Sequence, residues 1–185
     1  CPNLKRLVLA AGINLVGSTI REHVWIDTAG NTYMDSNEML AANAARASGV
    51  ETFVHPQATE GWTLSGSCEW SVDETETLII RPLPGLSRGT LESWAGAAAC
   101  PWNGAANRAI SVRVEPGVSA MNCDYMFWGF RKLASVDLSG LDTSRVKSVY
   151  GMFRYCESLE TVDLSALGTS SVTNMREMFA GCASL

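Results

Sequence analysis

Few residues in this sequence can carry chemistry. It holds two histidines, His23 and His55, and no Cys-x-x-Cys pair, so the ligand spacing of a zinc site is missing. It has no Gly-x-x-x-x-Gly-Lys-[Ser/Thr] loop to cradle a phosphate, and no Gly-x-Ser-x-Gly elbow around Ser65 or Ser67. Basic residues are outnumbered, 14 Lys+Arg against 19 Asp+Glu for a formal charge of −5, which argues against a nucleic-acid or acidic-membrane footprint. A cysteine nucleophile needs a base within reach, and Cys68 or Cys100 with His55 is the pairing on offer. Nothing beside either cysteine supports it, so the chain is read as non-enzymatic, with no cofactor and no metal. Hydrophobic residues nevertheless make up 46% of the 185 residues, too many for disorder over most of that length.

What the chain does have is repetition. Met126-Phe127, Met152-Phe153 and Met178-Phe179 recur every 26 residues, as do Leu133, Leu159 and Leu185. Val136-Asp137-Leu138-Ser139 and Val162-Asp163-Leu164-Ser165 keep the same phase. A fixed period of this length predicts a solenoid. Leu159-x-x-Val162-x-Leu164 predicts a short strand with alternate residues inward. Val172, Met175, Phe179 and Cys182 predict an apolar stripe on a short helical turn, with Thr169, Ser170 or Ser171 available as N-cap. Such a unit cannot bury its own apolar face and needs stacked neighbours and a cap. The outward strand positions Ser135, Asp137, Thr161 and Asp163 can vary without disturbing the core, which makes them the candidate contact residues. Asp137, Asp163 and Asp142 could together attract a cation, but hydrogen bonding to neighbouring Ser and Thr is the favoured reading.

Upstream the pattern changes. Residues 1–20 read as the end of an upstream array, since Cys1-x-x-Leu4-x-x-Leu7-x-Leu9 matches Cys156-x-x-Leu159-x-x-Val162-x-Leu164; this is preferred to a signal peptide over Lys5-Arg6 and Leu7 to Ala11. Residues 21–58 read as a ββαβ capping segment. It comprises a hairpin turning at Asp27 to Asn31, then a helix with an Asp35-x-x-Glu38 capping box, a Leu40, Ala44, Ala47 stripe and a Gly49 stop, then a strand at Val50 to His55 before Pro56. Residues 59–120 read as a small β-rich unit. Trp62 to Val72 pairs with Thr77 to Arg81, an ordered loop is pinned by Trp94 and Trp102, and Ile110, Val112 and Val114 alternate inward toward the Glu115-Pro116-Gly117 turn. Residues 121–185 are the repeats. The expected class is therefore α+β, a leucine-rich-repeat-like solenoid with a ββαβ cap and a small β-rich unit.

The motif M-F-x-x-C-x-S-L-x-x-V-D-L-S-x-L-x-T-S-x-V-x-x-M resembles the 26-residue repeat of bacterial surface proteins, the BspA-like branch of leucine-rich repeats. Phe130, standing where Cys156 and Cys182 do, marks an atypical first copy. The segment at 21–58 resembles the piece that closes such arrays, and Gly66-x-Cys68-x-Trp70, Leu78-x-Ile80 and Pro101-Trp102 resemble the module that precedes them. The resemblance implies an extracellular or cell-wall-attached protein that recognises another extracellular protein or host matrix; the alternative is a structural spacer.

Cys1, Cys156 and Cys182 share one repeat phase and read as buried small hydrophobes. Among Cys68, Cys100 and Cys123 at most one bridge can form, with Cys100–Cys123 a weak candidate. Trp62, Trp70, Trp94 and Trp102 read as core, whereas Trp128 and Tyr155 are the more plausible exposed aromatics. The chain opens and closes within a repeat, so it is expected to be a piece of a longer protein, with signal and anchor elsewhere and no membrane insertion within it. Cut ends such as Cys182-Ala183-Ser184-Leu185 and Cys1-Pro2-Asn3-Leu4 are expected to allow head-to-tail stacking.

Overall fold

Short runs rich in Leu, Ile and Val, broken by Gly and Asp turns, set the strands. The computed structural model describes residues 6–10, 25–27, 31–33, 36–45, 48, 50–54 and 58–185. Expectations for Cys1, Leu4, His23, Asp35, Ala47, Gly49, His55 and Pro56 lie outside the described residues.

In the front part, strands β1 (Arg6–Ala10), β2 (Trp25–Ile26) and β3 (Thr32–Tyr33) precede helix α1 (Ser36–Ala44) and strand β4 (Val50–Val54). The sheet order is β1-β4-β2-β3, antiparallel throughout. Its core is Leu9, Trp25, Met39 and Leu40, with Leu7 and Tyr33 against them. The described buried face of the helix holds Met39, Leu40 and Asn43; of the predicted stripe Leu40 is buried, while the Ala44 side chain and Ala47 lie outside the described residues. Asp27 closes the hairpin: its carboxylate accepts the backbone and side-chain N–H of Asn31, each at 2.8 Å, and the Tyr33 hydroxyl at 2.8 Å. Those bonds account for a turn-forming aspartate.

The second part opens as an antiparallel meander of β5 (Thr63–Ser65), β6 (Cys68–Val72) and β7 (Thr77–Pro82). The single strand predicted over Trp62 to Val72 is broken at Gly66, whose φ is 63°. A Cβ there would stand 2.2 Å from the Thr90 carbonyl oxygen, so the turn needs glycine.

After β7 every pairing is parallel. Strands β8 (Gly89–Thr90), β9 (Ser111–Val114), β10 (Val118–Ser119), β11 (Ser135–Asp137) and β12 (Leu141–Asp142) fall into two ladders, β7-β9-β11 and β8-β10-β12. In the first, Leu78, Val112 and Val136 share an inward column while Thr77, Ser111 and Ser135 share an outward one. The chain turns from one ladder to the other after β9 and again after β11. At the second corner a Cβ on Gly140 would lie 2.3 Å from the Val114 carbonyl oxygen, so one corner seats directly on the previous one.

A third set of parallel bonds replaces the predicted helical turns. The N–H groups of Tyr125, Phe127 and Gly129 donate to the carbonyls of Tyr150, Met152 and Arg154 at 2.9, 2.8 and 2.8 Å. Those of Gly151, Phe153 and Tyr155 reach Arg176, Met178 and Ala180 at 3.0, 2.9 and 2.8 Å. Intervening N–H groups close local turns, as in Trp128 to Tyr125 and Phe130 to Phe127. The backbone achieves this by taking positive φ at matching phases: Tyr125, Gly151 and Glu177 at 58° each, and Gly129, Tyr155 and Gly181 at 76°, 62° and 79°. An α-helix would consume its N–H groups internally; here every second one is turned toward the next copy. The helical piece in this stretch is a 3-10 turn at Thr169–Ser171, which carries no side-chain cap.

Between the ladders lies the main core. Phe127 stacks on Phe153 with centroids 5.6 Å apart at 23°, and Phe153 on Phe179 at 5.7 Å and 2°. Each buried phenylalanine contributes about 1.5–3 kcal/mol by leaving water. Cys156 donates its S–H to the Phe127 carbonyl at 3.2 Å and Cys182 to that of Phe153 at 3.1 Å. Two predicted inward residues are not inward: Met175 is 50% exposed and Ile110 40%. Val112 and Val114 carry the β9 face alone. All five described cysteines are free, so the Cys100–Cys123 bridge is not formed; both thiols are buried as hydrophobes instead.

Candidate functional site

Ladder geometry decides which side chains a partner could reach. Alternation along β9 and β11 sends Val112, Val114 and Val136 toward the core and leaves Ser111, Arg113, Ser135 and Asp137 facing out. The Thr77 and Ser111 hydroxyls bond across the outward column at 2.8 Å, and Arg113 lies in register with Asp137. Ser135 and Asp137 are exposed on the last strand of this ladder. Thr161 and Asp163 are also exposed, with Val162 and Leu164 half-buried between and beside them, but no strand forms there. Thus two of the four predicted contact residues stand on a paired sheet face, and two continue the same alternation beyond it.

The aspartates have a local job. Asp137 Oδ1 accepts the Ser139 N–H at 3.0 Å, Asp163 Oδ1 that of Ser165 at 2.8 Å, and Asp142 Oδ1 that of Ser144 at 3.0 Å. Hydrogen bonds from Ser139 hold the Asp137 carboxyl below its usual range, with the charge of Arg113 adding to them. Bonds from Ser165 do the same for Asp163. Ser135 and Thr161 form no side-chain hydrogen bond among the described residues. Among those residues, no three His, Cys, Asp or Glu side chains gather where they could hold a metal ion.

The thiols sit in the core. Burial pushes Cys68, Cys100, Cys123 and Cys156 from an ordinary 9.0 up to about 12, opposite to the shift that makes a thiolate nucleophile. His55, the base considered for Cys68 or Cys100, lies outside the described residues.

Tryptophans divide by position. Trp94 and Trp102 are buried, their rings edge to face at 5.6 Å. The Trp94 indole N–H donates to the Asp124 carbonyl at 2.8 Å, and that of Trp102 to the Met126 carbonyl at 2.7 Å. In the next copy the equivalent carbonyls, of Tyr150 and Met152, take backbone N–H groups from the copy before. The two indoles therefore stand in for a preceding copy, a role that no spacing in the sequence announced. Trp62 lies under the Arg81 guanidinium, 3.8 Å from ring centroid to Cζ. Trp128 and Tyr155 are half-buried, edge to face at 6.0 Å, and line a hollow of about 330 Å³ with Asn103, Asn107 and Arg131. Phe130 is fully buried.

No described helix is long and apolar enough to cross a membrane. Residues 115–185 match a family model described as "Mycoplasma protein of unknown function, DUF285". That description names a bacterial group and assigns no activity. The match begins at the Glu115 turn, so it takes in the last two strands of both parallel ladders except β9. No curated protein matches, and no solved structure does.

Proposed function

We propose that this chain is a non-enzymatic recognition segment of a bacterial cell-surface or secreted protein. In this reading it is a leucine-rich-repeat-like solenoid of the BspA-like kind, and it binds an extracellular protein or matrix partner through Ser135, Asp137, Thr161 and Asp163. One observation carries the reading. The outward side chains of Ser135 and Thr161 are exposed and form no side-chain hydrogen bond among the described residues, while the adjacent inward positions face the core, so these two side chains can change without cost to the fold. Buried, proton-retaining thiols support the non-enzymatic part.

The test is a binding screen of the fragment against matrix and host-surface proteins. Ser135→Arg/Thr161→Arg should abolish saturable binding while leaving the denaturation midpoint unchanged. Asp137→Asn/Asp163→Asn is the matched charge variant, because asparagine retains the turn that alanine would lose. Binding that survives both variants places recognition elsewhere. Absence of any binding favours the alternative, a spacer, for which the unbroken Phe127, Phe153, Phe179 stack supplies a stiff axis.

A further inference from the structure

The second parallel ladder carries a groove of about 550 Å³, lined by Arg88, Thr90, Ser119, Asp142 and Arg145 with Gly89 and Gly117. Its size suits a small organic ligand. Thr90, Ser119 and Asp142 stand in register on β8, β10 and β12, so their side chains form one column with rungs about 4.8 Å apart.

The polar groups of that column are linked. The Ser119 hydroxyl lies 3.1 Å from the Gly89 carbonyl and can donate to it, and the Thr90 and Ser119 hydroxyls lie 2.9 Å apart, with either able to donate. Asp142, ionised and held by the Ser144 N–H, can only accept. The floor therefore offers an acceptor at Asp142 Oδ2 beside two hydroxyls that each keep lone pairs to accept with. Arg88 and Arg145, by contrast, are donors only. Four other arginines pair with carboxylates, Arg81, Arg113, Arg131 and Arg154, but among the described residues neither Arg88 nor Arg145 forms an ion pair.

A ligand must meet both conditions, donating to the floor and presenting negative charge to the arginines. A bare anion cannot donate and is repelled by Asp142. A metal ion would suit the acceptors but is repelled by two guanidinium groups. An extended peptide offers same-side N–H donors about 6.8 Å apart, out of step with the rungs. A polyhydroxylated ring bearing a carboxylate or sulfate supplies both. We propose that this groove binds an acidic saccharide, its anionic group on Arg88 and Arg145 and its hydroxyls donating to Thr90, Ser119 and Asp142. The groove lies on a different ladder from the Ser135 face, and the two proposals stand or fall separately.

Calorimetric titration of the whole chain tests this, with N-acetylneuraminic acid and a chondroitin sulfate disaccharide as probes. Lactose, sodium sulfate and hexaglutamate are the neutral, hydroxyl-free and peptide controls. The acidic saccharides should bind roughly tenfold or more tightly than any control, since they alone can meet both the arginines and the floor with charge-assisted hydrogen bonds. Arg88→Gln/Arg145→Gln should weaken them by roughly tenfold or more. Both side chains are exposed and unpaired, so the variant keeps its fold. Asp142→Asn retains the Ser144 turn but turns an acceptor into a donor, and should cost a similar factor. Equal binding of sulfate or hexaglutamate, indifference to Asp142→Asn, or no binding of either saccharide overturns the proposal.

Discussion

Trp102 stacks on Phe127, ring centroids 6.3 Å apart at 28°, while its indole N–H donates to the Met126 carbonyl at 2.7 Å. One side chain thus begins both the aromatic stack and the hydrogen-bond ladder that later copies continue with phenylalanine and backbone. Trp102→Phe keeps the stack and leaves the carbonyl only the weak Cys100 S–H donor at 3.5 Å, a loss of about 1–3 kcal/mol. Trp102→Ala removes both and should cost about 3–5 kcal/mol. Urea denaturation reads the totals, and amide exchange at Tyr125 to Phe130 should accelerate in both variants. Equal stability of Trp102→Phe and the parent would rule out the capping role of the indole N–H.

Glu69 is fully buried and accepts Arg81 Nε at 3.0 Å, the Thr59 N–H at 2.6 Å and the Thr59 hydroxyl at 2.9 Å. The Arg81→Met variant leaves that carboxylate in the interior without its cation and should destabilise by about 3–5 kcal/mol. Glu69→Met added to it should recover part of the loss. A double variant less stable than Arg81→Met alone would contradict this account.

The buried thiols retain their protons in the fold to about 12, against 9.0 ordinarily. Because the unfolded chain loses those protons first, their contribution to stability is complete below pH 9 and is lost between about 9 and 12. The denaturation midpoint should fall over that window, and replacing Cys68 and Cys123 by Ala should flatten the fall. With a thiol reagent at neutral pH, Cys182, half-buried, should label first among the described cysteines. Fast labelling of Cys68 would sink the burial argument.

For the aspartates the sign is opposite. Asp137, Asp142 and Asp163 are held below their ordinary 3.8 by serine hydrogen bonds, so the stability they supply is present at neutral pH and fades as the pH falls below about 4. Asp137→Asn/Asp163→Asn should shallow the acid limb of a stability profile by lowering the neutral value toward the acid one, since asparagine can still accept the serine N–H but lacks the charge that strengthens the bond. An unaltered acid limb would remove these turns from the explanation of acid sensitivity.

The 26-residue phase was legible because the same side chains recur wherever one copy meets the next. Phe127, Phe153 and Phe179 stack at that offset, and the Cys156 and Cys182 thiols bond back to the copy before. Alternation likewise marked Val112 and Val114 as inward. The stripe of Val172, Met175, Phe179 and Cys182 suggested a helix because helical spacing and a run of turns with every second N–H turned outward place apolar residues at similar intervals. Only the stacked neighbour, which takes those N–H groups, separates the two. Of the candidate face, the outward direction of Ser135 and Asp137 was readable, whereas the bonding of the aspartates to serines two residues on needed coordinates.

By itself, then, the sequence determined what is local or periodic: the repeat length, the inward columns, the acidic balance and the lack of a metal or nucleophile motif. Tertiary structure decided what depends on residues far apart in the chain. It placed two indole N–H groups where a preceding copy would have supplied backbone, set Gly140 against the corner at Val114, and brought Arg88 and Arg145 to one groove. Stacking in three dimensions sets those neighbours, because the parallel-ladder bonds and these close contacts join residues about two dozen or more positions apart, beyond the range of any local pattern.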